Sequence, residues 1–162
     1  MGAQEVSTVL WRERELLELL LFKLEEEQLL LTAGKSKWLQ HATREVEQVM
    51  ERLRRSGLER SVEVAALAKE WGVRDDASLR ELAEAPAAGP WREVFEAHLT
   101  AMTRLTEEIA ALRDANTSFL RAAMRSTQET LASVDAGPSG YDRLGPTQQQ
   151  GNRAALFVDR SL

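Results

Sequence analysis

The chain has 162 residues, 43% of them hydrophobic and 29% charged, with a net charge of −5 and no cysteine. This length and apolar content suffice for one domain with a real core. The absence of cysteine excludes disulfides, thiolate nucleophiles and thiolate metal sites, and the negative charge argues against nucleic acid as the main partner.

Ala, Glu, Leu and Arg dominate, and apolar residues recur at spacings of three and four, which predicts long helices. The N-terminus, MGAQEVSTVLWRERE, lacks a basic segment followed by an apolar run, so no signal peptide is expected. The richest apolar stretch, LLELLLFKLEEEQLLL, is interrupted by Glu and Lys and cannot span a bilayer. The expected location is cytoplasmic, with no direct membrane insertion.

The first helix is expected from about Val6 to Leu31. Leu10, Leu17, Leu24 and Leu31 repeat every seven residues, and Leu16, Leu20 and Leu21 widen the stripe beyond a coiled-coil seam, enough to touch two neighbours. Gly34 breaks the pattern, with Ser36 a candidate N-cap. A second helix is expected from Lys37 to Arg55, with Trp38, His41 or Ala42, Glu45, Val49 and Leu53 on one side. It should stop at Ser56-Gly57, where RLRR offsets the dipole and glycine suits a left-handed cap.

Two short helices should follow as an insert at about 56–90. One spans Leu58 to Trp71 with Leu58, Val62, Ala65 and Leu67 inward. The other spans Ser78 to Glu84 and buries Leu79 and Leu82. After APAAGP, Pro90 suits a helix first turn, and Trp91 to Val134 contains neither Pro nor Gly. Trp91, Phe95, His98, Met102, Leu105, Ile109, Leu112, Asn116, Phe119 and Ala123 alternate spacings of four and three along a helix ~65 Å long. The first two helices are shorter, so part of this stripe is available to a partner. The expected fold is therefore all-α: an antiparallel helical bundle or coiled coil with one long C-terminal helix. The helical domain covers 1–135 and a flexible tail covers 136–162.

No enzyme signature is present: no GxxxxGK followed by Ser or Thr, no GxGxxG, HExxH or GxSxG. His41 and His98 lie far apart on or beside apolar faces, which favours core packing over metal binding or catalysis. Glu25, Glu26 and Glu27 point ~100° apart and cannot converge on one ion, so they read as a solvated face. Arg52, Arg54, Arg55 and Arg60 read as dipole compensation and solubility, or as a contact for an acidic partner. Asn116 stands where an apolar residue is expected. It either fixes helix register or hydrogen-bonds a bound peptide. Phe119, Leu120, Met124 and Leu131 extend the apolar surface past it, either as core or as a groove for an amphipathic segment.

The order of features resembles the FlgN family of flagellar type III export chaperones. A helix pair carries LLFKLEEEQLLLTAGKSKWL, a short insert carries EVAALAKEWGV and SLRELAE, a long helix carries ALRDANTSFLRAAM, and the tail begins GYDRLG. The more specific pieces are Asn116 with Phe119-Leu120, and Tyr141 with Gly145. The resemblance implies a chaperone without catalytic site, cofactor or metal. It binds hook–filament junction proteins (FlgK/FlgL-like) through their terminal segment and delivers them to the membrane export gate. It also implies client contacts at Asn116, Phe119, Leu120, Met124 and Leu131 and an export-gate contact at Tyr141. The bulky Phe119 stands where the family often has an aliphatic residue. The alternative reading is a structural coiled-coil module that homodimerises through the long helix, with Asn116 as its register device.

Overall fold

A computed structural model describes residues 2–137. They form an all-α fold: α1 (Gly2–Thr32), α2 (Ser36–Trp71), the short α3 (Leu79–Glu84), a 3-10 turn at Pro86–Ala88, and the long α4 (Trp91–Asp135).

Helices α1 and α2 are the close pair of the fold. The turn between them satisfies the last carbonyls of α1 twice over. Gly34, at φ 65°, donates to Leu31, and Lys35 donates to Leu30. This is the hydrogen-bond pattern of a glycine-terminated helix end. Ser36 is the first residue of α2 rather than its cap; Lys35 holds the cap position without a side-chain bond. Between the ion pairs Glu13–Arg60 and Lys23–Glu45 the partner steps back along α2 as the chain steps forward along α1, so the two helices are antiparallel. The pairing of α4 with α1 runs the other way. Ser7 meets His98 and Leu24 meets Asn116, at offsets of 91 and 92 residues. The two helices are therefore parallel, and α1, α2 and α4 form an up-down-up bundle.

The expected stop at Ser56-Gly57 is absent, and with it the expected insert beginning at 56: α2 continues unbroken to Trp71. A helical glycine costs only ~1 kcal/mol relative to alanine, and packing on both sides outweighs that. Ala42, Val46, Val49, Leu53, Ser56, Arg60, Val64, Leu67 and Trp71 keep one face of α2 in phase across the glycine, each of them buried or half-buried. Leu58 and Val62, expected inward, are consequently exposed. Gly72 ends the helix with φ 68°, and Val73 donates back to Ala68 while packing on the core. Ser78 opens α3 with a capping box to Glu81, which satisfies two otherwise orphaned donors.

The core has two parts. One joins Ala3, Val6, Leu10, Leu67, Leu82 and Phe95; the other joins Leu17, Leu20, Leu24, Val46, Val49, Leu105 and Ile109. Met102 packs against both. Polar groups also enter the interior. Glu13 is buried beside Arg60 at 3.5 Å, and Ser56 is buried with its hydroxyl unpartnered. Burial pushes the Glu13 carboxyl above the usual range, with Arg60 opposing. His98 is buried against Ser7 (3.2 Å) and the edge of Trp11, as expected of a core histidine, and burial holds its pKa low with Arg14 reinforcing. His41 departs from that expectation. It is exposed beside Trp38, itself 51% exposed, because Ala42 occupies the inward position.

Among the described residues no helix is long and apolar enough to cross a membrane.

Candidate functional site: an apolar groove beyond a polar clasp

The apolar stripe of α4 changes environment at Asn116. Before it, Phe95, Leu105 and Ile109 are 0–6% exposed. After it, Phe119, Leu120 and Met124 are 44%, 45% and 56% exposed. The physical reason lies in helix length. With α4 offset by 92 residues from α1, Thr32 at the end of α1 is level with about Met124. Cover by α1 therefore runs out at about Met124, and Phe119 and Leu120 stand beside its last turn and a half.

Asn116 marks the transition with a clasp that joins all three long helices. Its amide Nδ2 donates to the Leu24 carbonyl of α1 at 2.9 Å and to Glu27 Oε1 at 3.1 Å. The other Glu27 oxygen accepts from the Thr43 hydroxyl of α2 at 3.1 Å. Both partners of Asn116 are acceptors, which fixes the amide with its NH2 toward them. Its Oδ1 is buried without a partner. Asn116 itself is only 4% exposed. Both amide hydrogens of Asn116 are spent within the chain, while its Oδ1 keeps its acceptor capacity.

Beside the clasp lies a groove of about 230 Å³ between α2 and α4, floored by α1. Leu24, Leu31, Leu39, Val46, Met50 and Leu120 supply its apolar wall, and Glu27, Thr43, Arg113, Asn116 and Thr117 its polar groups. Nearby, Lys23 bridges Glu45 at 2.8 Å and Glu26 at 3.2 Å, and these hydrogen bonds raise its pKa. Glu26 and Glu27 are thus half-buried bonding groups, not the purely solvated face expected of the acidic run. Sequence reasoning missed Glu27 and Thr43. Nothing in their spacing distinguishes them from surface residues, because the partner is a side chain 89 residues away.

The other expected site residues are distributed as follows. Asn116 and Leu120 line the groove. Phe119 and Met124 are exposed on α4 in the same part of the chain. Leu131, 61% exposed, belongs to a separate unit that begins at Thr127. Tyr141 lies outside the described residues. The arrangement contains donors, acceptors and apolar walls, the ingredients for holding a peptide helix. Among the described residues no three His, Asp or Glu side chains gather as a metal cluster.

No curated protein and no solved structure matches the chain. The model of one family, described as FlgN protein, matches residues 1–149. That span includes the helix pair, the clasp and all of α4, and the chain belongs to the FlgN family.

Proposed function

We propose that this chain, whose family implies a flagellar export chaperone role, binds the terminal amphipathic segment of hook–filament junction proteins of the FlgK/FlgL type. The segment lies as a helix along the groove and over Phe119, Leu120 and Met124; Leu131, in the unit that begins at Thr127, is a further client contact in this reading. One observation carries this reading: the stripe of α4 stays apolar after Asn116 while its exposure rises from 4% at Asn116 to 44–56% at Phe119, Leu120 and Met124. A monomer gains nothing from exposed Phe, Leu and Met at core spacing, whereas a helix-in-groove partner does. Ordering a disordered client opposes binding and keeps affinity moderate, which suits a carrier that must release its cargo. In this reading the protein is cytoplasmic and non-catalytic, and Tyr141 on the tail contacts the export-gate subunit.

The test titrates the full chain with a synthetic peptide of the client's C-terminal segment. Phe119→Ala should weaken binding by ~1–3 kcal/mol and leave the melting temperature nearly unchanged. On the same cells, Tyr141→Ala should leave peptide affinity intact and lower client secretion. Unchanged affinity in Phe119→Ala would remove the groove from client binding; normal secretion in Tyr141→Ala would remove the tail tyrosine from delivery. A tight dimer in light scattering that Phe119→Ala dissolves would assign this face to homodimerisation instead.

A further inference from the structure

The opposite side of α1 carries a second surface that the groove does not use. Trp11, Phe22 and Leu29 are 53%, 57% and 69% exposed. Their spacings of eleven and seven residues place them within about 20° of one line along the helix. That line spans about 27 Å, more than four helical turns. Glu15, Glu18 and Glu25 fall within about 40° of the same line, and all three are exposed. None of the three has an ion pair among the described residues. Among the neighbouring cations, Arg52 and Arg55 line a shallow pocket with Glu15, Arg55 being paired with Glu51. Arg14 stacks over the Trp11 ring at 4.2 Å, Arg12 faces Glu59, and Lys23 is held by Glu45 and Glu26.

We infer that this stripe is a second docking surface, and that its occupant is a helix of another protein whose apolar residues are bordered by Lys or Arg. Charge decides among the occupants. A second copy of the chain, laid face to face, would set Glu15, Glu18 and Glu25 against the same glutamates. An anionic lipid surface would meet the same repulsion. A basic amphipathic helix pairs its cations with the glutamates and its apolar residues with Trp11, Phe22 and Leu29, the arrangement of a charge-bordered coiled-coil seam. Trp11 is the natural anchor: a large rigid ring already ordered by Arg14 on its face and His98 at its edge, so little side-chain freedom is lost on binding. The stripe points away from the Leu24 and Leu31 side that floors the groove, and its occupancy is independent of the client reading.

Two synthetic helical peptides test this, with identical leucine faces, one bordered by lysine and the other by glutamate. Titrated into the full chain, the lysine peptide should bind, weakening as salt rises, and the glutamate peptide should not. Phe22→Ser with Leu29→Ser should weaken the lysine peptide at least about tenfold, and so should Glu15→Lys with Glu18→Lys and Glu25→Lys. All five positions are exposed, and circular dichroism on each variant checks that the fold persists. Equal binding of the two peptides, or retained binding in both variants, would overturn the proposal. Leu120→Ser should leave lysine-peptide binding intact. If it removes that binding, the peptide sits in the groove and the stripe is not its site, while the client reading survives. A dimer of the chain in sedimentation that Phe22→Ser dissociates would also overturn it.

Discussion

The two stretches of α4 on either side of Asn116 read alike as sequence and behave differently as structure. From Trp91 to Leu112 the stripe meets α1, α2 and α3 and disappears into the core. From Thr117 to Ser126 the same four-three rhythm continues, yet Phe119, Leu120 and Met124 are half-exposed. An amphipathic pattern states that a face wants cover; it does not say whether the cover is in the same chain. Here the shorter neighbour decides, because α1 ends at Thr32. The clasp of Asn116, Glu27 and Thr43 closes the packed part with polar bonds about two turns before α1 ends.

The sharpest test of this contrast compares two phenylalanines of one helix. Phe95 is fully buried between Trp71 and Trp91, and Phe95→Ala should lower unfolding free energy by ~3–5 kcal/mol in urea titrations. Phe119→Ala should change it by less than ~1 kcal/mol. Equal losses would mean that the end of α4 is core, and would end the contrast.

The clasp should matter less. Asn116→Ala leaves Glu27 Oε1 without its donor and opens a small void, for an expected loss of ~1–2 kcal/mol. Thr43→Val removes only the outer bond, which is exposed, and should cost about 0.5 kcal/mol or less. If Asn116→Leu proves as stable as the native chain but populates dimers or a shifted pairing of α1 with α4, the asparagine acts on register more than on stability.

A pH titration separates the buried surroundings of His98 and Glu13 from the groove. His98 has its folded pKa held below the ordinary 6.5 by burial, then by Arg14. The unfolded chain therefore binds the proton more readily, and this contribution is present above pH 6.5 and is lost as pH falls from there through the lower folded value. Glu13 has the opposite sign. Its raised folded pKa makes the folded state the better proton acceptor, so its contribution is present below the ordinary 4.5 and is lost as pH rises through the folded value. His98→Gln should flatten the decline below pH 6.5 without altering the exposure of Phe119; an unchanged slope would show that His98 does not set it.

One expected effect has the opposite direction. A side chain at Gly57 would meet nothing within 4 Å, and α2 is helical there. Gly57→Ala should stabilise the chain by ~0.5–1 kcal/mol. Destabilisation would mean that α2 bends or opens at the position where the sequence suggested a stop.

Much of this architecture was legible in the residues. The heptad leucines of α1, the turn at Gly34, the uninterrupted run of α4 and the odd placement of Asn116 all carry local or periodic signals. The continuity of α2 was legible too, but only in the phase of Ala42, Val49, Ser56 and Leu67 across Gly57. Read locally, the arginines and glycine look like a helix end. Trp38, His41, Leu58 and Val62 were assigned inward from local helical spacing, whereas the phase of the continuous α2 turns them to solvent. The clasp was not legible, since Glu27 and Thr43 acquire meaning only when Asn116 arrives between them.

By itself the sequence determined helix content, the breaks at Gly34 and Gly72, and the length over which α4 stays apolar, because these follow from backbone preference and periodicity. Only the tertiary structure decided where that stripe ceases to be core. The decision depends on the lengths and offsets of three helices relative to one another, and no single helix encodes the distance at which its neighbour ends.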